Sequence, residues 1–257
     1  MKSNRLLSGL AILIWLIVPI ILYGDDGQHA TFEQGNNYYA KGQFKEALKV
    51  YQQLIDKGYA SPALFFNTGN TEYKLGEIPS ALLYYEKARK LAPTDDDINF
   101  NIKFTNLKIT DKIDEVPEFF LARWWQKFIL GISISGLSVL SILFVLLASV
   151  VLIIYFFTGS VNVKKMSFYV SVILFLAGIF AVFISAKQEG YFNDHKQGII
   201  FDAAVSVKNA PMTNSGTLFI LHEGTKVNIL ESNNDWLKIR LANGNQGWVK
   251  INSVKEI

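Results

Sequence analysis

The sequence predicts a multidomain membrane protein with an α-helical repeat solenoid, a transmembrane hairpin of two helices and a C-terminal all-β barrel. Long apolar stretches at 6–23, 128–157 and 166–186 contain no charged side chain, and a helix needs about 20 apolar residues to cross a bilayer. The segment between the first two stretches repeats itself at an offset of 34 residues. After the third stretch, short runs alternate in polarity, which is typical of β-strands.

The N-terminal segment, 1–24, is predicted to be a signal peptide or an N-terminal anchor. Lys2 and Arg5 precede the apolar run, and Gly24 is a small residue at which a signal peptidase can cut. The apolar run is longer than the usual signal core, so cleavage and retention both remain open. Either outcome carries the following segment across the membrane.

The two later apolar stretches are predicted to form transmembrane helices at 135–157 and 166–186. The loop between them, 158–165, carries Lys164 and Lys165 and no acidic residue. Positive charge in a short loop favours the cytoplasmic side of the membrane. The soluble domains before and after this hairpin are therefore expected to share the opposite side.

Residues 117–134 are predicted to form an amphipathic helix at the membrane interface. On a helical wheel, one side carries only large apolar residues, namely Phe120, Leu121, Trp124, Trp125 and Phe128. Paired tryptophans beside a membrane span are typical of interfacial segments. The alternative is a simple extension of a tilted transmembrane helix.

Residues 28–110 contain two copies of a 34-residue unit. The offset aligns Phe32 with Phe66, Gly35 with Gly69, Asn36 with Asn70, Tyr39 with Tyr73, Gly42 with Gly76, Ala47 with Ala81 and Tyr51 with Tyr85. This register resembles the tetratricopeptide repeat, and Pro93 fills the terminal proline position of that motif. A third copy is incomplete, so residues 96–110 are predicted to form a capping helix.

The resemblance to tetratricopeptide repeats implies a concave groove lined by the first helix of each unit. The residues placed in this groove are Phe32, Asn36, Tyr39, Phe66, Asn70, Tyr73 and Phe100. Aromatic rings supply contact area, and asparagine amides can bond an extended peptide backbone. The alternative is that some of these rings fill space between helices. Because two repeats make a marginal solenoid, packing against a partner or the rest of the chain is expected.

Residues 198–257 are predicted to form a small antiparallel barrel. Alternating runs at 226–230 and 236–241 predict strands, and Asn243-Gly244-Asn245 predicts a hairpin turn. The order of motifs resembles a bacterial SH3 domain, from Val205-Ser206-Val207 through Leu221-His222-Glu223-Gly224-Thr225 and Asp235-Trp236-Leu237 to Gly247-Trp248-Val249.

The SH3 resemblance implies binding of peptides or cell-wall stems in an aromatic-lined groove. Trp236 shares strand parity with Lys238 and Arg240, so it is the groove candidate. Trp248, between Gly247 and Val249, is expected to pack inside. The alternative is that both tryptophans serve only the core of a barrel this small.

Composition excludes several function classes. The net charge is only +3 and the basic residues are dispersed, which argues against a nucleic-acid partner. With no cysteine, the chain has no disulfide, thiolate metal site or cysteine nucleophile. The three histidines lie in different segments, and no nucleophile–base pair or phosphate loop can be assembled. We therefore predict no metal, no cofactor and no enzymatic activity.

The order of these features resembles the BatE family of Bacteroides aerotolerance proteins. It comprises a signal segment, two repeats, the segment Phe119-Phe120-Leu121-Ala122-Arg123-Trp124-Trp125, two spans and an SH3-like barrel. The resemblance implies a non-enzymatic scaffold in the bacterial inner membrane with both soluble domains in the periplasm. It also implies von Willebrand A-domain Bat proteins as partners, indirectly a MoxR-type ATPase, and a link to aerotolerance or envelope stress. The alternative is an accessory cell-wall factor whose barrel binds peptidoglycan peptides.

Overall fold

The computed structural model describes residues 26–114, 116 and 119–257. The predicted signal segment at 1–24 lies outside the described residues. The chain divides into two compact units, one containing Ile134–Gln188 and the other containing Gln28–Ser133 and Glu189–Ile257.

The larger unit begins with paired helices followed by a single helix: α1 (Asp26–Ala40), α2 (Phe44–Asp56), α3 (Pro62–Leu75), α4 (Ile78–Leu91) and α5 (Asp96–Asn106). The Ser61 hydroxyl caps α3 by accepting from the Leu64 N–H at 3.1 Å, with Pro62 in the first turn. Asp95 caps α5 in the same way, accepting from the Ile98 N–H at 3.0 Å. Such caps satisfy backbone donors that a helix start leaves unpaired.

Glycines allow the paired helices to approach closely. A Cβ added to Gly35 would lie 2.4 Å from the Tyr51 ring, and one added to Gly69 would lie 2.6 Å from the Tyr85 ring. Both tyrosines are fully buried. The recurring glycine and tyrosine of the 34-residue unit are therefore two halves of one packing contact, made once in each repeat.

Helix α6 (Phe120–Ile129) falls within the predicted interfacial segment. Its large apolar residues are exposed, namely Phe120, Leu121, Trp124, Trp125 and Phe128. Residues 130–133 separate it from the next helix, so α6 is not a simple extension of a transmembrane helix.

Helices α7 (Ile134–Phe157) and α8 (Val161–Asp194) are long and apolar enough to cross a membrane. Helix α8 extends past the predicted span of 166–186 at both ends. The predicted loop shortens to residues 158–160, and the polar residues after Ala186 are helical as far as Asp194. No proline interrupts these flanks, so the backbone hydrogen bonds continue from the apolar span into polar sequence.

The C-terminal part of the larger unit, the β domain (residues 197–257), is an antiparallel sheet in the order β3-β2-β6-β5-β4-β1-β7. Its strands are β1 (Gln197–Ile200), β2 (Ala204–Lys208), β3 (Thr217–His222), β4 (Lys226–Asn233), β5 (Trp236–Arg240), β6 (Gln246–Lys250) and β7 (Val254–Glu256). The core consists of Ile200, Val207, Leu221, Val227, Leu237, Ile239, Leu241, Val249 and Val254. The predicted fold class, a helical repeat region, two apolar helices and an all-β domain, is confirmed.

The β domain packs directly against the helical repeats. Leu82 and Leu83 of α4 and Ile199 of β1 form one buried cluster, whose partly buried neighbours are Ile78, Ile109, Phe201 and Ile257. We call this contact the docking interface. The docking interface buries apolar surface of the repeats that two repeats alone leave exposed. The sequence predicted such packing against a partner or the rest of the chain.

Candidate partner-binding surfaces

A ladder of side-chain hydrogen bonds joins the first helices of successive repeats. The Asn36 Oδ1 accepts from the Tyr51 hydroxyl and from Asn67 Nδ2, both at 2.8 Å. One repeat later, the Asn70 Oδ1 accepts from the Tyr85 hydroxyl and from Asn101 Nδ2, again at 2.8 Å. Each asparagine thus ties its own helix pair together and binds the next repeat.

This ladder shows how Asn36 and Asn70 are used within the chain. Each Oδ1 already accepts from two internal donors, so the predicted bonding of these amides to a partner's backbone falls to their Nδ2 groups and stays a prediction. The donors Asn67 and Asn101 were missed, although they recur at the same 34-residue offset. The physical reason is that a buried tyrosine hydroxyl needs a partner, and the nearby asparagine supplies it.

The ladder also depends on the protonated form of the buried tyrosines. Burial raises the pKa of Tyr51 to about 12, an effect larger than the lowering of that pKa by the nearby Asn67 amide. Burial likewise raises the pKa of Tyr85. Both hydroxyls therefore remain hydrogen-bond donors at neutral pH.

The predicted groove aromatics divide into two groups. Phe32 and Phe66 are half-buried and lie 5.9 and 5.8 Å, centroid to centroid, from the tyrosine of their own repeat, so part of each ring fills inter-helix space. Tyr39 is also half-buried, 5.3 Å from Phe44. Tyr73 is half-buried as well: its ring lies 5.9 Å from Phe104, and the Lys108 ammonium lies 4.4 Å from its centroid. Phe100 is the most exposed of the predicted groove residues, at 64%.

Both tryptophans of the β domain lie on one face of the sheet. Trp236 pairs with Lys250, and Lys238 pairs with Trp248, across β5 and β6. Directly paired residues in an antiparallel ladder point to the same side. Lys208 of β2 also pairs with Trp248. We call this set, Trp236, Trp248, Lys208, Lys238 and Lys250, the tryptophan face.

The prediction that Trp248 packs inside is wrong. Gly247 and Val249 are buried, so the strand alternation turns Trp248 outward, where it is half-buried like Trp236. The Lys238 ammonium lies 6.0 Å from the centroid of the Trp248 ring. Two rings flanked by lysines offer flat contact area beside positive charge, which suits a peptide with acidic groups.

Comparisons with known proteins agree with this architecture. Residues 32–96 match the family model described as a tetratricopeptide repeat. Residues 203–254 match the model described as a bacterial SH3 domain. The chain combines a tetratricopeptide-repeat region with a bacterial SH3 domain.

A solved structure also resembles part of the chain. It is the Yersinia enterocolitica type III secretion translocator chaperone SycD, at 17% identity and a TM-score of 0.32, with 67% of this chain and 93% of that chain covered. No curated protein matches the chain.

The SH3 domain is fixed to the repeat region by a buried ion pair. The Lys226 ammonium donates to the Glu86 carboxylate at 2.9 Å, and Arg89 pairs with the same carboxylate. Glu86 is only 5% exposed. A buried carboxylate is costly unless its charge and lone pairs are satisfied, so Lys226 of the SH3 domain stabilises a charge that lies on α4 of the repeats.

A second polar contact holds the segment after α5 against the SH3 domain. The Asp111 carboxylate accepts from the His222 N–H at 2.7 Å, from His222 Nδ1 at 2.8 Å and from the Thr225 hydroxyl at 2.7 Å. Burial raises the pKa of Asp111, but the hydrogen bonds from His222 and Thr225 outweigh it and hold the pKa below its ordinary value. The contact therefore favours the ionised carboxylate.

A cavity of about 390 Å³ lies where α4, α6 and the end of α8 meet the SH3 domain. Its charged residues include Glu86, Arg89, Lys90 and Lys127. Two of the cations already have partners, since Arg89 pairs with Glu86 and Lys90 donates to the Ile257 carbonyl oxygen at 3.2 Å. Among the described residues, no group of three or more His, Asp or Glu side chains could hold a metal ion. The partner-binding candidates are therefore the repeat aromatics and the tryptophan face.

Proposed function

We propose that the chain is a non-enzymatic, membrane-anchored scaffold that binds protein segments through its repeats and its SH3 domain. The observation that carries this proposal is the docking interface. Because the SH3 domain packs on α4, the repeat aromatics and the tryptophan face belong to one compact unit. Two surfaces joined in this way can hold a partner more tightly than either surface does alone.

The chemistry of both surfaces supports protein binding rather than catalysis. Half-buried aromatic rings on fixed helices and strands give contact area with little loss of side-chain freedom on binding. The lysines around Trp248 favour binding of partner segments that carry acidic residues. The sequence offers no nucleophile–base pair, so the proposal assigns no reaction to the chain.

Co-purification from native membranes tests the scaffold role. The tagged full chain is solubilised after mild crosslinking, beside a Trp236→Ala/Trp248→Ala variant and a Met212→Ala/Ile220→Ala control. The control removes exposed apolar side chains elsewhere in the SH3 domain. Proteins bound by the wild type and the control should be depleted from the tryptophan variant. Equal recovery by all three chains would contradict binding at the tryptophan face.

The finer assignment within this proposal is a Bat-type complex in the inner membrane, with both soluble domains in the periplasm. It rests on the resemblance of the whole feature order to the BatE family. The partners would be von Willebrand A-domain Bat proteins and, through them, a MoxR-type ATPase, with a role in aerotolerance or envelope stress. Mass spectrometry of the co-purified proteins tests this assignment, and recovery of an unrelated assembly would overturn it.

A second candidate is an accessory cell-wall factor. The lysines beside the two tryptophans favour it, because peptidoglycan stem peptides carry free carboxylates. The solubilised full chain should then sediment with purified wall sacculi, and the tryptophan variant should not. If sacculi retain none of the wild-type chain, the cell-wall candidate is excluded and the protein-binding scaffold remains.

A further inference from the structure

Helix α5 exposes an apolar stripe at the end of the repeat region. Three residues of α3, Phe66, Asn70 and Tyr73, were placed in the predicted groove. The residues 34 positions later are Phe100, Phe104 and Leu107. These residues are 64%, 47% and 73% exposed. We call them the α5 stripe. In sequence register α5 is the first helix of a third repeat. The residues that follow it, 107–114, are not helical and reach the SH3 domain through Asp111, and the next helix, α6, begins only at Phe120.

The first two repeats show what covers the equivalent face. In each of them a second helix packs antiparallel to the first and places a tyrosine against its phenylalanine. Tyr51 lies 5.9 Å from the Phe32 ring, and the second repeat makes the same contact at 5.8 Å. Among the described residues none takes that place on α5, where Phe100 stacks instead on Phe104 of its own helix at 6.1 Å, with the ring planes 7° apart.

The open face of α5 differs at one position from the equivalent faces of α1 and α3. Where the earlier repeats have Gly35 and Gly69, α5 has Lys103. A Cβ at either glycine would meet a tyrosine ring at 2.4 or 2.6 Å. A helix lying on α5 in the same way therefore cannot carry tyrosine opposite Lys103. It needs a small residue there.

The charged residues near α5 favour one orientation of a helix bound to it. Lys103, Lys108 and Lys112 lie along the second half of α5 and just after it, whereas the nearby Asp111 carboxylate is already engaged by His222 and Thr225. In an antiparallel pair, the second helix begins beside the end of the first. Acidic residues are favoured in the first turn of a helix, where they would also meet these lysines. Helix α2 follows this pattern with Glu46 in its first turn.

We propose that the α5 stripe docks an amphipathic helix of a partner protein, which completes the third repeat. The helix lies antiparallel to α5, has acidic residues in its first turn and has a small residue facing Lys103. This proposal rests on the scaffold role and names one class of partner segment. Helices α2 and α4 of a second copy do not supply the helix, because they carry the excluded tyrosine and bury it within their own repeats.

A designed peptide can take the place of the partner helix in a binding test. The probe has the sequence of residues 43–57 with Tyr51→Ala, and a hydrocarbon staple joins positions 49 and 53, which are exposed in α2. The staple removes the cost of forming a short helix in water. The matched control peptide keeps Tyr51. Binding of each fluorescent peptide to the detergent-solubilised full chain is followed by anisotropy.

The alanine peptide should bind saturably, and the tyrosine peptide about tenfold more weakly. Phe100→Ser/Phe104→Ser should weaken binding of the alanine peptide at least about tenfold, because apolar contact area is lost. A Met212→Ser/Ile220→Ser control, altered at exposed residues of the SH3 domain, should bind as the wild type does. Lys103→Gly should restore binding of the tyrosine peptide.

Three results would overturn the proposal. The first is that neither peptide binds the wild-type chain. The second is that the Phe100→Ser/Phe104→Ser variant binds the alanine peptide unchanged. The third is that sedimentation in detergent shows a dimer of the wild-type chain that this variant abolishes, which would assign the stripe to self-association. None of these results bears on the tryptophan face, so the scaffold proposal is judged separately by its own co-purification test.

Discussion

The ammonium of Lys226 lies 2.9 Å from the carboxylate of Glu86, although the two residues are 140 positions apart and both predicted spans lie between them in sequence. This pair joins β4 of the SH3 domain to α4 of the repeat region. Because Glu86 is buried, undocking of the SH3 domain would remove one of the two cations that compensate its charge. The pair therefore couples the stability of the two domains.

Lys226→Met should loosen the docking interface. The substitution keeps most of the length of the side chain but removes its charge, and Arg89 remains beside Glu86, so we expect a loss of about 1–2 kcal/mol in the free energy of unfolding. Hydrogen exchange of the full chain in detergent should show faster exchange in α4 and β1. Lys196→Met is the control, because its ion pair with Glu256 is exposed and contributes about 0–1 kcal/mol. Equal protection in both variants would contradict the coupling.

Acid should weaken the contact made by Asp111. Since its pKa in the folded chain lies below the ordinary value of 3.8, ionised Asp111 stabilises the fold above that pH. The stabilisation is lost as the pH falls through the folded pKa. Asp111→Asn should lower the free energy of unfolding by about 1–2 kcal/mol at pH 7. The difference in unfolding free energy between this variant and the wild type should shrink as the pH falls below 3.8, the ordinary pKa of the carboxyl group. Urea denaturation of the full chain at several pH values measures this. A pH-independent difference would contradict it, and Asp114→Asn, at an exposed position, is the control.

Substitution of Asn36 and Asn70 should destabilise the repeats themselves. Asn36→Ala removes the acceptor of a buried tyrosine hydroxyl, which costs about 1–3 kcal/mol. Asn70→Ala should cost a similar amount. Asn37→Ala, on the exposed side of α1, should have little effect. A double-mutant cycle with Tyr51→Phe should give a coupling energy for the Asn36–Tyr51 pair. Zero coupling would show that the ladder does not stabilise the stack.

The two tryptophans should respond alike to truncation. Trp236→Ala and Trp248→Ala each remove a half-buried ring from the same face, so each should cost about 1–2 kcal/mol and leave the SH3 domain folded. Ile239→Ala removes a side chain that is 0% exposed and should cost about 2–5 kcal/mol. Thermal melts of the three full-length variants in detergent compare these losses. If Trp248→Ala alone were as damaging as Ile239→Ala, Trp248 would belong to the core.

Labelling of introduced cysteines should show both soluble domains outside the inner membrane. The natural chain has no cysteine, so Ser61→Cys, Ser232→Cys and Ser160→Cys each report one site. A membrane-impermeant maleimide should label positions 61 and 232 in cells with a permeable outer membrane. Position 160, between the two apolar helices, should react only after the inner membrane is breached. The reverse pattern would invert the topology.

Several features follow from the sequence alone because they depend on local chemistry. The offset of 34 residues predicts the repeats, since each glycine must recur opposite its tyrosine for two helices to pack. The two apolar stretches predict α7 and most of α8, because length and hydropathy decide whether a helix can span a bilayer. Alternating polarity predicts β4 and β5 of the SH3 domain. Each of these patterns is complete within one segment of the chain.

Only the tertiary structure decides which residues remain available to a partner. The Oδ1 atoms of Asn36 and Asn70 are engaged by Asn67 and Asn101, each one helix pair further along the chain. Trp248 faces outward because of its register with β5, which is a contact between strands. The pairing of Lys226 with Glu86 brings together parts of the chain separated by both apolar helices. Burial and hydrogen bonding at such positions are set by distant neighbours, and no local pattern encodes them.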